Sequence, residues 1–259
     1  MRRASLRHTQ GALAAIQEMQ DITSKIELYI NEQNASIWNE LKKEYSFKLY
    51  LDHTETSWKG KTDGNTAIII APTEIIEYHS FTHELLHIYL DFLGLSTLEE
   101  VIHNIVGEYA FSFLLNTDLT SWIYNFSSHK KMFPFYKSMG FSEESFVQES
   151  ISFTKRDFIY IKDTSKSRKT ICESIDQYIG HTISLMNNVV KSDEAKCLKY
   201  LEKLKELKPN LFKIILDFDT KWNDSLDYNL AEKFADFGQE LNDYLIKRKI
   251  KCGDFINLD

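Results

Sequence analysis

Phe81-Thr82-His83-Glu84-Leu85-Leu86-His87-Ile88-Tyr89 holds the pattern His-Glu-x-x-His inside a run whose apolar residues recur at helical spacing. On an α-helix the four-residue step from His83 to His87 brings both imidazoles to one face, about 6 Å apart along the axis. Two nitrogens so placed can close on one metal ion. Glu84 projects near the same face, where a carboxylate can hold a metal-bound water without itself being a ligand. Zinc lowers the pKa of such a water to about 7, and the carboxylate can take its proton as the water attacks a carbonyl. Chance produces the pattern in on the order of one chain in a hundred of this length, so metal binding is preferred to a helix that merely carries two histidines.

Upstream, Ala67-Ile68-Ile69-Ile70-Ala71 is a branched apolar run bounded by Gly64-Asn65 and Pro72, the signature of a buried strand. Phe47-Lys48-Leu49-Tyr50-Leu51 reads as a second strand, with turn-rich Lys59-Gly60-Lys61-Thr62-Asp63-Gly64-Asn65 between them. The two strands are expected as a hairpin or as neighbours in a small sheet. The motif helix should begin soon after Pro72, run through Ile75, Ile76, Phe81, Leu85 and Leu86, and stop at Gly94. Further upstream, the spacing predicts an amphipathic helix from Ala12 to about Glu32 and a shorter one from Asn34 through Ile37, Trp38 and Leu41.

Downstream, Ser96-Thr97-Leu98-Glu99 has the form of a capping box, with Ser96 as the cap and Glu99 reaching back to it. It opens an apolar helix, and with only Gly94-Leu95 before it the two helices should form a hairpin. From Trp122 to Phe141 comes an aromatic stretch interrupted by Pro134 and Gly140, suited to core or to a cleft wall. Helical periods return over Ile175–Val190, over Leu198–Leu204 ending before Pro209, and over Leu230–Leu245. A soft division near residue 127 separates a core region, 1–127, from a helical region, 128–259.

A catalytic zinc usually takes three protein ligands and keeps one position open. Candidates for the third are Glu99, Glu100, His103 and Glu108 on the next helix, and Asp91 at the end of the motif helix. Glu99 is taken by the expected cap. Glu100, Asn104 and Glu108 share a stripe, and Gly107 would allow close helix approach there, which favours Glu108. Counting back from a turn near Leu95 sets His87 opposite about position 103, which keeps His103 as the second candidate. Asp91 lies on the stripe of His79, His83 and His87 and is placed to orient His87. For Asp91 and His79, an ordinary satisfied polar residue is the simpler account. An oxyanion donor is also needed, and Tyr109, Tyr124, Tyr178 and His181 qualify by chemistry.

His83-Glu84-Leu85-Leu86-His87 followed by Gly107-Glu108-Tyr109-Ala110-Phe111-Ser112-Phe113-Leu114-Leu115 resembles the gluzincin branch of zincin metallopeptidases and, more loosely, the IrrE/ImmA group of intracellular bacterial metallopeptidases. The metzincin continuation is absent, since Leu90 and Leu93 stand at its fixed positions. The resemblance implies Zn2+ held by His83, His87 and Glu108, with Glu84 as general base. It also implies a strand before the motif helix that pairs with an extended peptide, a role for Ala67–Ala71. The expected fold is then α+β and mostly α, a small zincin-like sheet with a helix hairpin plus an additional helical bundle. The expected activity is zinc-dependent hydrolysis of a peptide bond in a protein or peptide substrate. The alternative is a zincin-fold regulatory or protein-binding module with little or no catalysis.

A net charge of −7 over 259 residues, with no basic stripe, argues against a nucleic-acid partner. No apolar run reaches membrane-spanning length and the N-terminus lacks a signal-peptide core. Cys172, Cys197 and Cys252 are odd in number and widely spaced, which suits idle thiols in a reducing, cytoplasmic setting.

Overall fold

The structure, a computed structural model, describes residues 19–98, 100–102, 117–146, 161, 168–186 and 194–248. These are mostly helical, with one four-stranded mixed sheet, in agreement with an α+β, mostly α class. The described parts of Met1–Phe92 and Phe135–Val147 form one compact unit, and those of Leu93–Pro134 and Gln148–Asp259 another.

In the first unit the sheet contains β1 (Gln20–Asp21), β2 (Ser46–Leu51), β3 (Lys59–Asp63) and β4 (Thr66–Ala71), in the order β1-β2-β4-β3. β4 is parallel to β2 in the register Phe47↔Ala67 and antiparallel to β3 in the register Gly60↔Ile69. Its position explains its composition: Ala67–Ala71 is buried throughout, as a strand covered on both faces requires. The two expected strands are therefore neighbours, not a hairpin. The turn-rich segment between them supplies β3, closed onto β4 by a two-residue loop in which Gly64 takes φ +56. Because β4 is paired on both sides, Ala67–Ala71 cannot take up a peptide by strand addition, contrary to the expectation. Among the described strands it is β3 that has an open edge on this side of the sheet.

The expected helix over Ala12–Glu32 is absent from its described part. Gln20–Asp21 pairs with β2, and Thr23–Tyr29 is a 3-10 helix. Side chains compete with the α-helical ladder here: Asp21 Oδ1 accepts the Thr23 N–H at 2.8 Å, and Thr23 Oγ1 accepts the Leu49 N–H at 3.0 Å. The three-residue step between buried Ile26 and Tyr29 suits a 3-10 helix as well as an α-helix. The shorter helix forms as expected, α1 (Ala35–Leu41), burying Ile37, Trp38 and Leu41.

The motif helix, α2, spans Tyr78–Phe92 and ends before Gly94, which takes φ +91 at the stop. It starts later than the spacing predicts. Thr73 Oγ1 accepts the Ile75 N–H at 3.2 Å in a local turn, and Ile75 is 67% exposed. Glu77 begins the helix instead: its carbonyl accepts the Phe81 N–H at 3.0 Å, and its Oε2 accepts Trp58 Nε1 and Ser80 Oγ, each at 3.0 Å. Phe81 is fully buried, stacked on Tyr29 at 5.4 Å and edge-on to Trp58 at 6.3 Å. Asn34, also fully buried, donates through Nδ2 to Thr82 Oγ1 at 2.9 Å and to the Tyr29 carbonyl at 3.0 Å.

The capping box after Gly94 is shifted by one residue. Thr97 Oγ1 accepts the Glu100 N–H at 3.2 Å and Glu100 Oε2 accepts the Thr97 N–H at 2.8 Å. Ser96 turns to the C-terminal helices instead, where its Oγ accepts the Ala231 N–H at 3.1 Å. The aromatic stretch is one helix, α3 (Thr117–Ser138), with Pro134 inside it. α4 (Arg168–Met186), α5 (Glu194–Leu207) and α7 (Leu230–Lys247) match the periodic segments. α6 (Pro209–Asp224), unforeseen, opens on Pro209 and buries Leu211, Phe212, Ile215, Phe218 and Trp222. Cys197 is a buried free thiol, as expected, whereas Cys172 is disulfide-bonded, contrary to the expectation of an idle thiol. Among the described residues no helix is long and apolar enough to cross a membrane.

Candidate metal centre

α2 is apolar on nearly every side, and burial of Leu85, Leu86, Ile88 and Leu90 fixes its rotation. That rotation presents His83 and His87 together. Their rings lie 5.1 Å apart, centre to centre, at 68°, and Phe146 covers His83 at 5.0 Å. Both Phe146 and the last turn of α3 belong to the first unit, where Phe135 stands edge-on to Tyr89 at 5.5 Å and Tyr136 to Phe146 at 5.0 Å. α3 is unbroken from that turn back through His129.

Ring nitrogens of His83, His87 and His129 lie within 4.8 Å of one another, so these three close histidines can hold a metal ion. The donor chemistry fits. His83 and His129 are 5% and 6% exposed. Desolvation pulls the His87 imidazole down to about 4, so at neutral pH it is the uncharged base that a metal requires.

Glu84, 8% exposed, lies beside His83 on the helix. Burial raises its carboxyl to about 7, while the backbone N–H of Gly60 on β3 acts in the opposite direction. Asp91 is at the far end of α2, where its Oδ2 accepts Thr62 Oγ1 at 3.1 Å, tying the helix to β3. Burial pushes the Asp91 carboxyl up to about 6.

Of the expected site residues, His83, Glu84 and His87 come together on α2. Glu108, His103, Tyr109 and Glu99 lie outside the described residues. Glu100 is exposed, with one carboxylate oxygen engaged in the cap. The Tyr178 hydroxyl donates to the Leu204 carbonyl at 2.7 Å, an interhelical tie inside the second unit that takes it out of the search for an oxyanion donor. His181 is buried on α4, lining a groove with Trp122 and Asp176. Tyr124 is half-buried on α3.

His129 was not among the expected ligands. Its signal is a polar residue at a core position of a helical stripe: Ile123, Phe126, Met132 and Tyr136 are buried at three- and four-residue steps, and His129 fills the place between Phe126 and Met132. The sequence places the stretch around Pro134 only as core or cleft wall, with no helix assigned, so that stripe is not drawn from it.

No model of a known protein family matches the chain, and neither does any curated protein or solved structure.

Proposed function

We propose that the chain is a zinc-dependent metallohydrolase that cleaves peptide bonds, with His83, His87 and His129 as zinc ligands and Glu84 as general base. One observation carries the proposal: three imidazole nitrogens gather within 4.8 Å next to a buried carboxylate in His-Glu-x-x-His order. A zinc held by three protein ligands keeps a fourth position for water and makes that water acidic enough to react near neutral pH. The chain's own groups do the rest. The three imidazoles bind. Glu84 accepts the proton of the attacking water and delivers it to the leaving amine, and burial keeps its carboxylate in reach of that exchange. β3 takes the peptide-pairing role first expected of β4, since it is an edge strand of the sheet and its Gly60 lies against Glu84. Glu108, the third ligand first expected, competes with His129 for that place, and the zinc content of Glu108→Ala and His129→Ala decides between them.

Glu84→Gln separates this function from a binding module with the same architecture. The amide keeps the shape of the carboxylate but cannot take a proton. Hydrolysis of a quenched-fluorescent peptide mixture by the zinc-loaded chain should fall by at least about 10²-fold, while bound zinc is unchanged. Wild-type protein that binds zinc but cleaves no peptide in that mixture or in denatured casein would favour the binding module.

A further inference from the structure

We propose that Gly60, in the middle of β3, is the positioning residue for the Glu84 carboxylate, an inference that builds on the assignment of Glu84 as the base. A Cβ built on Gly60 would stand 2.9 Å from the Glu84 carbonyl oxygen, 3.0 Å from its Cβ and 3.2 Å from its Oε2. The first two atoms belong to the α2 backbone and its root and cannot swing aside, so a side chain at position 60 must displace β3 or α2. Gly60 is not among the described glycines with positive φ, so its backbone does not call for glycine. The close approach of Glu84 does. A glycine inside a strand weakens it and marks a place where another backbone comes near. Thr62, two residues on, faces the same helix and holds Asp91, so β3 meets α2 at both ends of the stretch that contains His87. The strand thus sets where the carboxylate stands.

Gly60→Ala in the full chain tests this. In the zinc-loaded protein, zinc affinity measured against a chromophoric chelator should stay within about threefold of wild type. A crystal structure should show the Glu84 carboxylate moved by about 1 Å, and kcat on the quenched-fluorescent peptide mixture should fall on the order of 10²-fold with KM within about twofold. Adding Glu84→Asp, which withdraws the carboxylate from β3, should cost less than the product of the two single losses. An unmoved carboxylate, an unchanged kcat, or zinc affinity lost in parallel with kcat would overturn the proposal. If wild type cleaves no peptide, the catalytic assignment fails by itself, and the displacement of Glu84 at constant zinc affinity still decides the role of Gly60. Should Gly60→Ala not fold, the Gly60 amide in 15N-labelled protein provides the decision. Glu84→Ala should shift that resonance and speed its hydrogen exchange beyond any other β3 amide, and an unaffected Gly60 amide would overturn the proposal.

Discussion

At the scale of single residues, the motif helix buries the Glu84 carboxyl and half-buries that of Asp91, and each is held as an acid more firmly than in water. Asp91 shows what that costs. Its carboxyl is raised to about 6 in the fold, so the folded state binds the proton more tightly than the unfolded chain does. The favourable linkage is complete below the ordinary carboxyl value near 4 and is lost as pH rises through about 6. Asp91→Asn keeps an acceptor for Thr62 and has no charge to bury. In chelator-stripped protein it should raise stability by about 2 kcal/mol at pH 8 and leave it unchanged at pH 4, read from urea midpoints at the two pH values. A gain equal at both pH values would contradict the linkage. At this scale His83, Glu84 and His87 were legible because their relation is local: a four-residue step on a helix needs no tertiary knowledge. His129 was not, since its place near the motif depends on where α3 packs, and a lone histidine on an apolar stripe is most often a core residue with its hydrogen bonds satisfied.

At the scale of elements, the burial of α2 depends on polar groups that anchor it as well as on apolar ones. Asn34 bridges Thr82 Oγ1 and the Tyr29 carbonyl with no exposure to water. Asn34→Ala leaves both acceptors buried without their donor and should destabilise the protein by about 2–3 kcal/mol in urea unfolding, whereas a loss under about 0.5 kcal/mol would mean that the bridge is idle. In the second unit, α6 grips α3 on both sides of His129: Trp222 Nε1 donates to the Ser127 carbonyl at 2.8 Å, and Lys130 Nζ meets both Asp219 oxygens at 2.6 and 2.8 Å. The Lys130 and Asp219 side chains are only 19% and 14% exposed. Lys130→Met strands the Asp219 charge and should cost about 3 kcal/mol, most of it recovered by adding Asp219→Leu. An additive double variant would contradict a paired, partly buried charge. The elements legible in the sequence were those with an unopposed period, β2, β4, α1, α4, α5 and α7. Of the rest, the N-terminal segment had side chains competing for the backbone, as with Asp21 and Thr23, and the aromatic stretch around Pro134 and Gly140 carried no assigned element, although Thr117–Ser138 is one helix. The capping box was off by one because Ser96 and Thr97 are both good caps, and contact with Asn229 and Ala231 takes Ser96 away from its own helix.

At the scale of the whole molecule, the two compact units interleave along the chain, each built from two separate segments. The mixed α+β class followed from the periods alone. The interleaving did not, because it depends on the return of Phe135–Val147 to the unit that holds α2. The zinc content of the 259-residue chain, purified without added metal or chelator and compared with four variants, tests the central claim most directly. We expect about one zinc per chain in wild type and in Glu84→Gln, and loss of that zinc in His83→Ala, His87→Ala and His129→Ala with the fold intact. Folded wild-type protein without bound metal would contradict the claim.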